Sequence, residues 1–229
     1  MSLEWYSSTP ASKMRGRRPP RLESAISDLG LISVSPWASE ESSAGTPIAV
    51  LGDIHSNLPA LEAVLDEVRS AGISRGIITG DIIGGGGRTD ECITLVRSLG
   101  WPCVQGTSDR VREGGADEIS RSNLVWVSSL PVRLLLPLDG ATVYVTHRVT
   151  PRERRRAMDV GAGCLVSGHT HHASAGPVEG LLVVNPGSVG EGLPDDPRPS
   201  WAWVVAGPDG VSAGVRFSTR VLRPAHVRT

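Results

Sequence analysis

The sequence has few cysteines, almost no net charge and no long apolar run, and each shortage excludes a class of protein. Its three cysteines, Cys92, Cys103 and Cys164, are odd in number and far apart. This spacing fits neither a disulfide framework nor a cysteine-ligated zinc site. We therefore interpret all three as small core residues of a protein in a reducing compartment.

Charge and hydropathy predict that the protein has no membrane partner and make nucleic acid an unlikely one. The formal net charge is −1, so no overall basic field favours binding to nucleic acid or to an anionic membrane. No apolar run approaches the ~20 residues that a membrane-spanning helix needs, and the N-terminus lacks the apolar core of a secretory signal. The sequence predicts a soluble cytoplasmic protein and leaves its oligomeric state open, a homo-oligomer included.

Composition divides the 229 residues into three segments. Residues 1–46 are rich in Ser, Pro and Arg, which predicts an N-terminal extension that is flexible or loosely docked. A weak helical pattern from Leu22, closed by Gly30, would let part of it dock on the body. Residues 47–218 are predicted to form a single domain, since no internal repeat is visible. Residues 219–229 are predicted to be a C-terminal tail.

The first half of the predicted domain alternates strands with helices. The apolar run Ile48–Leu51 reads as a buried strand, and Asn57 is a candidate N-cap for a helix that Gly72 ends. Two similar units follow, with strands predicted over Gly76–Thr79 and Pro102–Val104 and helices around Ile93–Leu99 and Val111–Arg121. Three such units in series imply an α/β fold whose sheet is at least partly parallel.

The second half is richer in strands. Asp139-Gly140 lies between two apolar runs, 132–138 and 141–146, and this dipeptide is a strong hairpin signal. Further elements are predicted as a helix from about Pro151 and strands over Cys164–Ser167, Leu181–Val184, Trp201–Val205 and Val211–Phe217.

Side chains of the metal-ligand type follow several of the predicted strands. They are Asp53, His55, Asp81, His147, His169 and His171. Any one of these motifs alone is more typical of a polar loop or turn. Together they lie at the carboxyl ends of strands, where open α/β sheets carry their chemistry. Imidazole and carboxylate suit divalent Mn, Fe, Co, Ni and Zn. Because the set exceeds one coordination sphere, it favours two ions.

The order of these motifs resembles that of the calcineurin-like metallophosphoesterase superfamily, in particular its small bacterial phosphodiesterases. The motifs are Asp-x-His, Gly-Asp-x-x-Gly, Gly-x-x-Asp, Thr-His, Gly-His-x-His and Asn-Pro-Gly-Ser, and the resemblance covers roughly Pro47 to Phe217. It implies a four-layer α/β fold in which two mixed β-sheets are sandwiched between helices in a single domain. It also places Asn185-Pro186-Gly187-Ser188 in a loop near the site.

The resemblance implies a role for each candidate residue. Asp53, His55 and His171 would hold the first metal, and Asp81 would bridge to a second one held by His147, His169 and Thr107. Ser108 and Asp109 would belong to the catalytic loop. Apart from the resemblance, Arg148 and Asn57 are candidate substrate contacts. The implied cofactors are two divalent ions, manganese first and Fe, Ni, Co or Zn as alternatives. The implied substrate is a phosphorylated small molecule or a nucleotide.

Four positions depart from the family pattern. Thr107 stands where an asparagine would bind the second metal, and its neutral hydroxyl is a weaker ligand. Ser108 stands where many members have a histidine that assists the leaving group, and a serine is no general acid near pH 7. Ser56 and Arg148 stand where glycine is usual.

Two functions are therefore open. The first is hydrolysis of a phosphate ester, by a phosphodiesterase or phosphatase, through a metal-activated hydroxide. The alternative is a catalytically impaired homologue that binds a metal or an anion and acts as a scaffold or regulator.

Overall fold

The computed structural model of the protein describes residues 32–33, 45–110, 119–208 and 210–219. The helix predicted between Leu22 and Gly30 and most of the one predicted over Val111–Arg121 lie outside the described residues. The same is true of the predicted tail beyond Thr219.

The described residues form ten strands and four helices. In chain order these are β1 Ile32–Ser33, β2 Ile48–Leu51, α1 Leu58–Ser70, β3 Gly76–Ile78, α2 Thr89–Leu99, α3 Arg121–Ser128, β4 Arg133–Leu138, β5 Ala141–Thr146, α4 Pro151–Asp159, β6 Cys164–Val166, β7 Ser174–Val178, β8 Leu181–Asn185, β9 Ser200–Gly207 and β10 Gly210–Phe217. Among the helices of this described part, none is long and apolar enough to cross a membrane.

The strands form two mixed sheets. The first has four strands in the order β10-β9-β2-β3, with β2 parallel to β3 and antiparallel to β9. The second has six strands in the order β1-β4-β5-β6-β8-β7, and its β5, β6 and β8 run parallel. Strand β1 pairs with β4, Ile32 opposite Leu134, so residues from the predicted N-terminal extension provide an edge strand.

Three hydrophobic cores separate four layers. Alternate residues of β2 point to opposite faces of the sheet: Ala49 and Leu51 pack in the core that contains α1 and α2, and Ile48 and Val50 pack between the sheets. On the outer face of the six-stranded sheet, Tyr144 packs with residues of α4 and its C-terminal flank. The order is helices, sheet, sheet, helix, and the predicted fold class is confirmed.

Two predicted strand features have different outcomes. The Asp139-Gly140 hairpin is confirmed, since both residues have positive φ angles, 45° and 85°, as a tight type I′ turn requires. The strand predicted over Pro102–Val104 is wrong as an element, because within the described part of the chain this segment forms a single bridge, between Ile78 and Cys103. Pro102 has no N–H with which to extend the ladder.

A buried ion-pair network attaches α4 to the six-stranded sheet. The Glu153 carboxylate accepts hydrogen bonds from Arg133 Nε and Nη2, both at 2.8 Å, and from Arg156 Nη1 at 2.6 Å. The hydroxyl of Tyr144 donates to the same carboxylate. Burial disfavours the charged form, but the bonds from Arg133 and Tyr144 outweigh it and hold the pKa of Glu153 below its usual value of 4.5.

We expect Glu153→Gln to destabilise the protein at pH 7 by about 1–3 kcal/mol, because buried donors lose a charged acceptor. The folded-state pKa is the lower one, so this contribution is fully present above pH 4.5 and is lost as the pH falls through the folded value. Urea unfolding at pH 7 and pH 3 should show a smaller difference between the variant and wild type at pH 3. Glu62→Gln, at an exposed position of α1, is the control. A difference that does not change with pH would contradict the assignment.

Candidate metal centre

The candidate ligands lie where strands of both sheets end. Asp53 follows β2, Asp81 follows β3, His147 follows β5, and His169 and His171 follow β6. Five of the six candidates have φ angles in the left-handed region: Asp53 (53°), His55 (49°), Asp81 (51°), His169 (74°) and His171 (61°). Non-glycine residues in this conformation cost roughly 1–3 kcal/mol each and cluster at functional sites.

The first group of donors consists of Asp53, His55 and His171. His171 Nε2 lies 3.3 Å from Asp53 Oδ1 and 3.0 Å from His55 Nε2, and His55 Nε2 lies 3.9 Å from the same Asp53 oxygen. The Asp53 side chain is fully buried, and both of its oxygens accept the His169 N–H at 3.0 Å. Its carboxylate is therefore held in place before any ligand binds.

The second group consists of Asp81, His147 and His169. His147 Nδ1 donates to the carbonyl of Thr79 at 2.8 Å, which leaves Nε2 with its lone pair free to bind an ion. This Nε2 is buried and has no hydrogen-bond partner in the described part of the chain, although Asp81 Oδ2 lies 3.3 Å away. A buried imidazole nitrogen that has a free lone pair and lies next to a carboxylate is the arrangement expected for two ligands of one metal ion.

Burial and the charges of neighbouring residues shift the pKa values of several members of the two groups. Burial disfavours the charged form of Asp81, but the neighbouring His147 and the N–H of Ser108 lower its pKa to about 2. Burial likewise opposes the charged form of His147, yet Asp81 raises the pKa of His147. The hydrogen bond with Asp53 raises the pKa of His171, and burial followed by His147 lowers that of His169.

The two groups are adjacent and fit divalent ions. Within each group the donor atoms all lie within 4.8 Å of one another. The backbone N–H groups of Ile54 and His55 donate to the Asp81 carbonyl at 2.8 and 3.0 Å. These hydrogen bonds connect the loop that follows β2 to the loop that follows β3. Two imidazoles and one carboxylate in each group are ordinary donors for borderline divalent metals.

The segment Gly106–Asp109 closes over Asp81. The N–H of Ser108 donates to Asp81 Oδ1 at 2.8 Å, while the side chains of Thr107 and Ser108 are exposed. A side chain at Gly106 would collide with the backbone N and the carboxylate of Asp81, so only glycine allows this approach.

Asp109 is fully buried and uses its carboxylate within the protein. Oδ1 accepts the N–H groups of Ile82 and Ile83 at 2.8 and 3.0 Å, and Oδ2 accepts that of Gly106 at 2.8 Å. Burial raises the pKa of Asp109 although these N–H groups oppose the shift. The geometry makes Asp109 a support for the loop that carries Asp81.

The Asn-Pro-Gly-Ser loop packs on the first group, as the resemblance implies. Asn185 Nδ2 donates to the Gly168 carbonyl at 2.9 Å, and Ser188 Oγ donates to the Asp53 carbonyl at 2.8 Å. Asn57, a predicted substrate contact, caps α1 through the N–H of Ala60 at 3.2 Å and donates to the Gly190 carbonyl at 2.9 Å. Both ends of its amide are therefore engaged within the protein.

Arg148 is exposed beside the second group. It lines a cavity of about 430 Å³ together with His169, Thr170 and Asn185, with Val149 and Val183 as apolar walls. The cavity thus offers one cationic side chain next to a candidate metal ligand, which suits an anionic substituent.

The structure adds one residue that the sequence pattern did not indicate. Glu191 lies directly after the loop at Ser188, and its Oε2 is 3.7 Å from His55 Nε2. No periodicity or known motif marks this position, and only the folding of the loop onto Asp53 brings it to the site.

Ser56 stabilises the glycine-rich turn beside His55. It is fully buried at a φ of 59°, and its hydroxyl accepts the Gly84 N–H at 2.9 Å and bonds with Thr89 Oγ1 at 2.8 Å. A Cβ at Gly84 would lie 2.6 Å from the His55 backbone. The serine therefore compensates for its strained backbone with two side-chain hydrogen bonds.

We expect Ser56→Ala to destabilise the protein by about 1–3 kcal/mol, because the Gly84 N–H loses its acceptor while the left-handed backbone strain remains. Ser56→Gly loses the same bonds but relieves the strain, so it should be more stable than Ser56→Ala by roughly 0.5–1 kcal/mol. Urea unfolding midpoints of the three proteins test this order. Equal stability of the two variants would show that the backbone at this position is not strained.

A family model described as a calcineurin-like phosphoesterase superfamily domain matches residues 47–205, more than half of the chain. Together with the two-sheet fold and the paired donor groups, this match defines the class of protein. The chain belongs to the calcineurin-like phosphoesterase superfamily. The predicted membership of this superfamily is thus confirmed.

The chain is similar to two individual proteins. An uncharacterized protein from Methanocaldococcus jannaschii is 35% identical over 117 residues, which are 44% of this chain and about half (48%) of that protein. A metallophosphoesterase from Sphaerobacter thermophilus is 26% identical with a TM-score of 0.55, over 74% of this chain and 87% of that one.

Two more distant structures share the fold alone. A novel archaeal phosphodiesterase is 18% identical with a TM-score of 0.54, over 74% of this chain and 99% of its own. A Vps29 double mutant from Entamoeba histolytica is 20% identical with a TM-score of 0.50, over 75% of this chain and 98% of its own. Because the second name describes no phosphoesterase activity, the fold by itself does not establish catalysis.

Proposed function

We propose that this protein is a metal-dependent phosphoesterase that hydrolyses a phosphomonoester or phosphodiester of a small molecule or nucleotide. The observation that carries the proposal is the pair of adjacent donor groups, each with one carboxylate and two imidazoles, at the strand ends of both sheets. When two divalent ions are bound, they supply a hydroxide nucleophile near neutral pH and neutralise charge on the phosphoryl group.

The chain's own residues hold and orient this centre. Asp53, His55 and His171 would hold the first ion, and His147, His169 and Thr107 would hold the second. Asp81, whose Oδ2 faces His147 and whose Oδ1 accepts the Ser108 N–H, would be shared between the two ions. His147 binds as the neutral tautomer that its bond to the Thr79 carbonyl favours.

The remaining site residues support the ligands or the substrate. Asp109 positions the Asp81 loop, and Asn57 positions the loop through Gly190. Arg148 pairs with the substrate phosphate from the cavity beside His169.

The donor set also supports a choice of metal and a location. Mixed oxygen and nitrogen donors without thiolate are compatible with Mn²⁺, which we propose first, and with Fe, Ni, Co and Zn as alternatives. The three cysteines are buried and free, which fits a reducing cytoplasmic environment.

The second candidate is a scaffold or regulator that binds a metal or anion without turnover. It is supported by the exposed Thr107 and Ser108, which lack the amide ligand and the acid of the family pattern. The likeness in fold to Vps29 is compatible with it.

A panel of phosphomonoesters and phosphodiesters, assayed with Mn²⁺ and with a chelator, separates the two functions. The proposal predicts turnover that requires the metal and is lost in Asp53→Asn. Metal binding without turnover on any ester would favour the second candidate.

A further inference from the structure

The backbone of Glu191 is attached to the loop that carries Asp53. The N–H of Glu191 donates to Ser188 Oγ at 2.8 Å, and the hydroxyl of Ser188 donates to the Asp53 carbonyl at 2.8 Å. The neighbouring Gly190 N–H donates to the same carbonyl at 3.0 Å. Position 191 is therefore fixed relative to the first donor group.

The side chain of Glu191 lies next to His55 of the first donor group and is exposed to solvent. Its Oε2 lies 3.7 Å from His55 Nε2, closer than the 3.9 Å between His55 Nε2 and Asp53 Oδ1. Donors about 2.1 Å from one ion are roughly 3–3.5 Å apart, so Glu191, which lies near His55 but outside the group whose donor atoms are all within 4.8 Å of one another, has to rotate toward Asp53 and His171 to bind the same ion. The side chain is 65% exposed and can make this movement without repacking the core.

We infer that Glu191 is an additional carboxylate ligand of the ion held by Asp53, His55 and His171, an inference that rests on the metal centre proposed above. With Glu191 the first site contains two carboxylates of its own, Asp53 and Glu191, in addition to the shared Asp81. The second group contains one carboxylate, Asp81, which it shares with the first ion. The first site is therefore the tighter one and fills first.

The added oxygen also affects which metal is preferred. Carboxylate oxygens suit Mn²⁺, whereas imidazole suits Zn²⁺ well. The removal of the Glu191 charge should therefore weaken Mn²⁺ binding more than Zn²⁺ binding, which a general disturbance of the loop would not do.

The test is a Mn²⁺ titration of the full chain, followed by electron paramagnetic resonance of free Mn²⁺, with Zn²⁺ measured by calorimetry. Glu191→Gln should weaken the tighter Mn²⁺ site by ~10- to 100-fold and Zn²⁺ by less. Glu62→Gln, an exposed glutamate on α1, should leave both affinities unchanged, and Asp53→Asn should abolish tight binding of either metal.

The outcomes separate this inference from the proposed function. Mn²⁺ affinity that is unchanged in Glu191→Gln but lost in Asp53→Asn overturns the role of Glu191 and leaves the metal centre standing. Equal weakening of Mn²⁺ and Zn²⁺ also overturns it, since the effect is then not that of an oxygen ligand. Wild-type protein that binds neither metal overturns the proposed metal centre itself.

Discussion

Asp81→Asn is expected to reduce phosphoester hydrolysis by at least ~10³-fold while the fold stays intact. A neutral amide does not balance two cations as a bridging carboxylate does, and the loss of a single stabilising donor in other enzymes already costs about 10²- to 10³-fold. The amide oxygen still accepts the Ser108 N–H, the bond that Asp81 Oδ1 accepts at 2.8 Å. The loop therefore keeps its support.

Turnover, circular dichroism and the urea midpoint should be measured together for Asp81→Asn. The matched control is Asp159→Asn, which removes the same charge at an exposed position at the end of α4. Near-normal turnover in Asp81→Asn would show that this carboxylate does not bridge the ions. If Asp81→Asn loses both its fold and its activity, the main role of the Asp81 carboxylate is structural.

Aryl phosphodiesters are expected to be cleaved much faster than alkyl phosphodiesters. The side chains at positions 107 and 108 are exposed beside Asp81, and neither hydroxyl is a general acid near pH 7. Without a proton donor for the departing oxygen, the reaction depends on leaving groups that are stable as anions. A positioned general acid typically accounts for ~10²- to 10⁴-fold in rate, so the dependence on leaving-group pKa should be steep.

The double variant Thr107→Asn with Ser108→His should flatten that dependence. A series of esters with graded leaving-group pKa, assayed at saturating Mn²⁺, gives the slope for each protein. Thr107→Asn alone is the control, because it should strengthen the second metal site without adding an acid. Slopes that are equal in wild type and the double variant would mean that another group or a water supplies the proton, or that chemistry is not rate-limiting. No activity in any of the proteins would favour the scaffold function.

Much of the fold was predictable because its strands are continuous apolar runs that end in glycine or a polar ligand. Strand β2, Ile48–Leu51, is buried along its whole length. The dipeptide Asp139-Gly140 favours the tight turn that joins β4 and β5. Strand β7 was not predictable, since Ser174–Val178 contains Gly176 and Pro177 and is only partly buried. It forms a strand because it pairs with β8, and not because its residues favour the strand conformation.

The six candidate ligands were selected from their order in the sequence, and the structure brings them together in two groups, but the geometry of those groups was not predictable. The 3.3 Å approach of His171 to Asp53 joins residues from different sheets and depends on how the sheets pack. The left-handed backbone conformation at His55 could not be predicted, because the residue there is not a glycine. Glu191 and the loop-holding role of Asp109 depend likewise on contacts between segments far apart in the chain.

Anomalous diffraction at the manganese edge, from crystals grown with Mn²⁺, tests the central claim most directly. We expect two peaks about 4 Å apart, with Asp81 bound to both, one flanked by Asp53, His55 and His171 and the other by His147 and His169. A single peak at saturating Mn²⁺, or two peaks that do not share Asp81, would contradict the dinuclear centre.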